Sequence, residues 1–435
     1  MAQGRPTLIL CDLINPVNDR TALLVRGAGI LIEAGHITRI YPSPSNGLQK
    51  EIAKKGEVLD RRGLLAMPGF FDLHFHWVQD HVCLMPKDSL LTWLKNYTWP
   101  LEKKFSNLGF AKKEASHFQE KLVSVGTLGG ASYGSVHGHT VGLGLNKFLG
   151  HFVVGNVLMT MNSPSYLLQT EKEAQALTKT LAARYQNRYA ITPRFAPTVH
   201  PSTMTKVGLL AKRYKTFIQT HLCETEEEVA YVLDLYRHLP GFNQIKSYAE
   251  IYGRTGILGP RTIVGHGIYL SATDLMWLLK TKTIIAHCPT SNAPIREQGL
   301  GSGRFDLAQA DRKGLRWALA SDVGGGPYLS MFDVIHSFVR QQRSTGRASY
   351  TRGLYRATAV GAGYLGVGKR AGQLRAGFEA NIVFVPSPKR RGGEQAEDVL
   401  KRVIERKLVE RESFNHLVAE TWWKGEPVFS LLGAK

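Results

Sequence analysis

The sequence predicts a (β/α)8 TIM-type barrel that carries a small β-sandwich domain assembled from both chain ends. Three observations lead there. Eight apolar, strand-like runs in the middle of the chain each lead into a longer amphipathic stretch. Short β-type runs bracket them near either end. Several of the central runs stop on His or Asp, as strands do when their C-terminal ends build a functional barrel mouth.

Taken in order, Thr7–Leu10, Ala22–Val25, Gly29–Ile32 and His36–Ile40 are short β-type runs separated by turn residues, with no helical period. The central series is Phe70–His76, Gly126–Gly134, His151–Met161, Arg188–Phe195, Thr216–His221, Arg261–His266, Thr283–His287 and Leu315–Asp322. Helix-like segments separate them. One is Thr225–Arg237, whose first turn holds Glu226, Glu227 and Glu228, where negative charge suits the helix dipole. Strands alternating with helices over this length predict a parallel barrel. Asn381–Val385, Val418–Trp423 and Pro427–Phe429 close the series as β-type runs. The expected division is a discontinuous sheet domain at 1–66 and 370–435, around a barrel at 67–369. Ser387–Glu397, rich in Pro, Lys, Arg and Gly, reads as an exposed connection.

Composition narrows the function classes. With 435 residues, 43% of them hydrophobic, the chain fills a real core, which excludes a mainly disordered protein. Lys and Arg number 55 against 35 Asp and Glu, a net charge of +20. The positive residues are scattered. The densest runs are Lys389–Arg391 and Lys401–Lys407, and Glu405 and Glu410 make the second read as a solvated helix face. A nucleic-acid partner is therefore disfavoured despite the charge. The four cysteines form no CxxC pair, so a disulfide framework is not expected and reducing cytosol is the natural compartment. Met1–Pro6 opens no apolar leader, and no run approaches the ~18 apolar residues of a membrane helix. A cytoplasmic protein without membrane contact is expected, with a homodimer as the expected assembly.

The chemistry lies at the strand ends. His74-Phe75-His76 ends the first barrel strand, and a two-residue period puts both imidazoles on one face. His221, His266, His287 and Asp322 end the fifth to eighth. Three imidazoles and one carboxylate with an open position suit a mononuclear hydrolytic metal, Zn²⁺ first and Fe²⁺ second. The fourth strand ends in Arg194-Phe195 with no Lys to bridge two ions, so one metal per chain is expected. His81, and the pair His137-Gly138-His139, read as loop histidines.

Met67-Pro-Gly-Phe-Phe-Asp-Leu-His-Phe-His76 resembles the opening motif of the amidohydrolase superfamily, and the terminal sheet domain matches its usual companion. Within it the chain is similar to guanine deaminases of the amidohydrolase type. The similarity rests on His76-Trp-Val-Gln79, Trp93-Leu-Lys-Asn-Tyr-Thr-Trp-Pro100, Pro193-Arg-Phe195 and His221-Leu-Cys-Glu224. It continues through Gly265-His-Gly267, Ala286–Asn292 and Ser321-Asp-Val-Gly-Gly-Gly326. The resemblance implies hydrolytic deamination of guanine to xanthine and ammonia, with a small-molecule purine as partner. It implies Zn²⁺ on His74, His76, His221 and Asp322, with His266 beside the attacked position and Glu224 as proton shuttle. Asp322 would take the proton of the attacking water. Gln79, Arg194 and Phe195 would recognise the purine: a guanidinium suits its carbonyl, and an amide can both donate and accept on the ring edge.

Two rival readings stand beside this one. The first is deamination of another aminated heterocycle, such as an oxidised purine, a pterin or a triazine, on the same scaffold. The second is a non-catalytic scaffold or nucleic-acid-binding protein, which a broken ligand set would signal. Three departures from the family pattern are visible. Asn381 stands where Asp is common, Ala293–Phe305 is long and glycine-bearing and expected to reshape the pocket rim, and 388–416 is irregular.

Overall fold

The computed structural model describes residues 5–410 and 414–432. Strands β1 (Thr7–Pro16), β2 (Ala22–Glu33), β3 (His36–Tyr41) and β4 (Glu57–Pro68) open the chain. A two-residue turn at Ala34-Gly35, both at positive φ, joins β2 to β3, the geometry that matches strand twist in a hairpin. The two runs read as Ala22–Val25 and Gly29–Ile32 are one strand, kept continuous by a register irregularity opposite Cys11–Leu13. β4 has no counterpart in the sequence reading. Asp60, Arg61 and Arg62 interrupt its apolar pattern, because that half of the strand is largely open to solvent and Arg61 pairs with Glu420 at 2.8 Å.

The barrel strands are β5 (Phe70–His76), β6 (Thr127–Gly134), β7 (His151–Leu158), β8 (Ala190–Pro193), β9 (Phe217–Leu222), β10 (Thr262–His266), β11 (Ile284–His287) and β12 (Arg316–Leu319). All eight expected runs are strands, paired parallel in sequence order. The ring closes just beyond β12. Asp322 N–H donates to the His74 carbonyl at 2.7 Å, and His76 N–H to that of Val323 at 3.0 Å. One apolar cluster draws Leu73, Ala131, Val153, Ala190, Phe217, Ile263, Ile284 and Ala318 from the eight strands and fills the interior, so the barrel is a packed core and the site sits above it. Helix Glu226–Arg237 starts where expected, with Thr225 as its cap accepting from Glu228 N–H at 3.0 Å.

Strands β13 (Ile382–Pro386), β14 (Glu420–Trp423) and β15 (Glu426–Ser430) return to the first sheet, whose order is β15-β14-β13-β4-β1-β2-β3. The irregular 388–416 stretch contains helix Ala396–Glu410, whose Ala396, Val399, Leu400, Val403 and Ile404 are buried in the main core. Residues 1–4 of the N-terminal reading lie outside the described residues. Asn381 has a structural job: its Oδ1 accepts from Lys424 N–H at 3.0 Å and its Nδ2 donates to Glu379 at 2.9 Å. Among the described residues, no helix is long and apolar enough to cross a membrane.

Candidate active site

The site begins with an anchor within the first barrel strand, β5. Buried Asp72 accepts from the backbone N–H of His74 at 3.1 Å and of Ser321 at 3.0 Å, and from the Ser321 hydroxyl. Burial raises its pKa to about 6, the hydrogen bonds pulling the other way. This carboxyl ties the residues carrying the two histidines to the segment carrying Asp322.

Above it, one nitrogen each of His74, His76 and His221 and one oxygen of Asp322 lie within 4.8 Å of one another. Asp322 Oδ1 stands 3.2 Å from His74 Nε2 and 3.4 Å from His76 Nε2, and His221 Nε2 is 3.3 Å from His76 Nε2. Three properties fit a metal. His74 Nε2 is buried without a hydrogen-bond partner, a costly state that an ion would relieve. Burial holds His74, His76 and His221 below the ordinary imidazole value, His76 at about 3, so they are neutral as ligands must be. Finally, His221 Nδ1 donates to the Arg194 carbonyl at 2.7 Å, which fixes the tautomer and aims Nε2 at the cluster.

Two acid–base groups flank the cluster. Glu224 Oε2 is 3.4 Å from His266 Nε2, which in turn is 3.9 Å from Asp322 Oδ2. Burial, then the charges of Asp322 and Glu228, push the Glu224 carboxyl well above its usual range, the direction that favours the protonated acid. Ser302 donates to its other oxygen at 3.3 Å. His266 Nδ1 meets Asn292 Oδ1 at 3.0 Å, leaving Nε2 toward Glu224. The backbone at Cys223, His266 and Asp322 is left-handed. Such non-glycine conformations cost of order 1–3 kcal/mol each and gather where side chains must be re-aimed.

A pocket open to solvent lies over these groups. Gln79, Arg194 and Phe195 line it together with His76, His221, Glu224 and Asp322. Leu90, Trp93, Leu94 and Leu300 complete the apolar wall. Leu300 and Ser302 come from the long 293–305 loop, which therefore shapes the pocket rim. Lys87, 5% exposed, ties its own segment to this loop by donating to the carbonyls of Cys83 at 2.5 Å and Gln298 at 2.9 Å. Residues Leu94–Thr98 widen to an i→i+5 turn inside a helical run, a distortion common at functional sites.

Residues 65–425 match the amidohydrolase family model. The chain belongs to the amidohydrolase family. It is 32% identical to guanine deaminase of Escherichia coli (strain K12) over 381 residues, 85% of this chain and 84% of that one. A solved E. coli guanine deaminase superposes with a TM-score of 0.83 at 26% identity, covering 98% of this chain and 99% of that chain. A guanine deaminase from C. acetobutylicum, solved with guanine bound in its active site, gives 0.82 at 24% identity over 98% and 100% of the two chains.

This amidohydrolase barrel thus brings together every expected site residue. His287 is the exception among the strand-end histidines. Its ring lies outside the cluster, 4.6 Å from that of Phe305 and 6.3 Å from that of Trp317. In strand β11, Ala286 belongs to the interior cluster, and the two-residue period turns the next side chain outward. His137 and His139 stack on each other, and His139 reaches the Phe105 carbonyl at 2.7 Å. Among the described residues they join no metal-binding group. Sequence reasoning missed the roles of Asp72, Glu102, Glu228 and Asn292. Asp72 and Asn292 sit inside quoted motifs, which was a usable signal. Glu102, followed by two lysines, offered none.

Proposed function

We propose that the protein is a guanine deaminase, hydrolysing guanine to xanthine and ammonia with one Zn²⁺ per chain, Fe²⁺ being the second choice. One observation carries the reading: a small, largely apolar cavity joins the His/Asp cluster to Arg194 and Gln79, in a chain 32% identical to a guanine deaminase across 84% of that enzyme. On this reading the barrel is 67–369, and 1–66 with 370–435 forms the sheet domain.

His74, His76, His221 and Asp322 would hold the ion. When bound, it supplies the Lewis acidity that makes a water nucleophilic at neutral pH. The protein's residues do the rest. Arg194 donates to the purine carbonyl, Gln79 meets the ring edge, and Phe195 covers a face. This sets the amine-bearing carbon beside the ligand cluster. Glu224, whose buried setting favours its acid form, gives its proton to the adjacent ring nitrogen as that carbon is attacked. Asp322 takes the proton of the water, and His266 steadies the oxygen arriving at that carbon. A proton then reaches the amine, the C–N bond breaks, and ammonia leaves.

The reading includes a cytoplasmic homodimer with no nucleic-acid partner. Ammonia release by the zinc-loaded protein from a panel of aminated heterocycles tests it. Guanine should be turned over with the highest kcat/KM. Preference for a pterin, an oxidised purine or a triazine would move the assignment to that substrate, and no release from any would favour a scaffold.

A further inference from the structure

We propose that Glu102 is a positioning residue for substrate recognition, holding Arg194 and Gln79 ready for the carbonyl edge of the base. The inference rests on the guanine reading above. Glu102 lies on helix Trp99–Lys104 with its side chain fully buried. Arg194 Nη1 donates to both of its oxygens, at 2.8 and 2.9 Å, and Gln79 Nε2 donates to Oε1 at 2.7 Å. One carboxylate thus holds both recognition side chains at once.

The arrangement has three physical consequences. First, Arg194 is itself buried, and among the described residues Glu102 is the one carboxylate in contact with it. The pair neutralises a charge that a neutral base could not compensate. Second, Glu102 occupies only Nη1. Nε and Nη2 form no hydrogen bond within the described residues, so that edge of the fork remains for a ligand in the cavity that Arg194 lines. A guanidinium held at one nitrogen presents the others in a fixed plane, which lowers the ordering cost of binding. Third, a carboxylate at 2.7 Å requires the donor end of the Gln79 amide to face it.

Gln79 Nε2 also lies 3.1 Å from His76 Nδ1, so Glu102 is one side chain removed from the ligand cluster. Zinc content therefore has to be followed with activity. Glu102→Gln is the informative change, since it keeps the shape, removes the charge and sets an NH2 group against the donors of Arg194 or Gln79.

The test compares wild type, Glu102→Gln, Arg194→Met and the double variant, all full-length and zinc-loaded. The ligands are guanine and 2-aminopurine, which keeps the amidine but lacks the carbonyl and is followed as substrate or competitive inhibitor. Glu102→Gln should bind zinc as wild type does and lose about 10–100-fold in kcat/KM on guanine, mainly through KM, the range for hydrogen bonds to a charged group. Its effect on 2-aminopurine should be several-fold smaller. The double variant should be little worse than Arg194→Met alone, and more stable to heat, because Arg194→Met leaves a buried carboxylate unpaired. Equal losses on both ligands, loss of zinc, or additive losses in the double variant would overturn the assignment. If wild type leaves guanine untouched, the parent reading fails instead. The role of Glu102 is then read on the heterocycle that is turned over, by the same comparison with and without its carbonyl.

Discussion

The His74 ring lies close against Gly265 of strand β10 at the barrel mouth. A Cβ at Gly265 would lie 2.7 Å from His74 Cε1 and 3.0 Å from Nδ1. Strand β10 has to carry glycine there for His74 to reach Asp322. Gly265→Ala should push the imidazole out of line while sparing the strand pairing. Zinc affinity should fall about 10–100-fold, the range found when ligand support is lost, in a competition titration against a chelator. Unchanged affinity would remove His74 from the ligand set.

One transition-metal equivalent per chain should be found by elemental analysis after purification without chelator. His76→Ala should lose both metal and turnover, because it removes one of four converging donors. Two equivalents in the wild type would instead point to a second ion on Glu224, His266 and Asp322, which also converge.

Glu224→Gln should keep its metal and its melting temperature and lose turnover by about 10²–10⁴-fold, the usual span for a general acid. The amide fills the same space beside His266 and Ser302 but carries no transferable proton. Near wild-type kcat would demote Glu224 to a binding residue.

Glu379 joins the terminal sheet domain to the barrel through His151 at 2.6 Å. Burial raises its pKa, but the hydrogen bonds from His151 and Asn381 outweigh this and hold it at about 2, against an ordinary 4.5. A depressed folded-state pKa gives stability that is fully present above the unfolded value and lost as pH falls through the folded one. Glu379→Gln should therefore be less stable than wild type at neutral pH, with the gap closing between about 4.5 and about 2. Denaturant melts across that window check it. A gap that does not change with pH would mean the pair contributes packing alone.

The ligand residues were legible because each falls at or just beyond the C-terminal end of a strand, and the strands could be read from local apolar runs. Strand β4 was not legible, since its charged half faces solvent and breaks the pattern that local reading depends on. Glu102 was invisible for a different reason. Its partners Gln79 and Arg194 lie 23 and 92 residues away, and nothing near Glu102 marks it as buried.

By itself the sequence determined the barrel, the sheet built from both ends and the residues able to bind a metal, because alternation and strand-end position are local properties of the chain. Only the tertiary structure decided which of them meet. Closure of β12 onto β5 sets Asp322 beside His74 and His76, while the outward turn of His287 removes it from the cluster. The long loop brings Ser302 to Glu224, and a widened helical turn precedes the Glu102 that supports Arg194. These choices depend on distances between residues far apart in the chain, and packing around the closed barrel sets those distances.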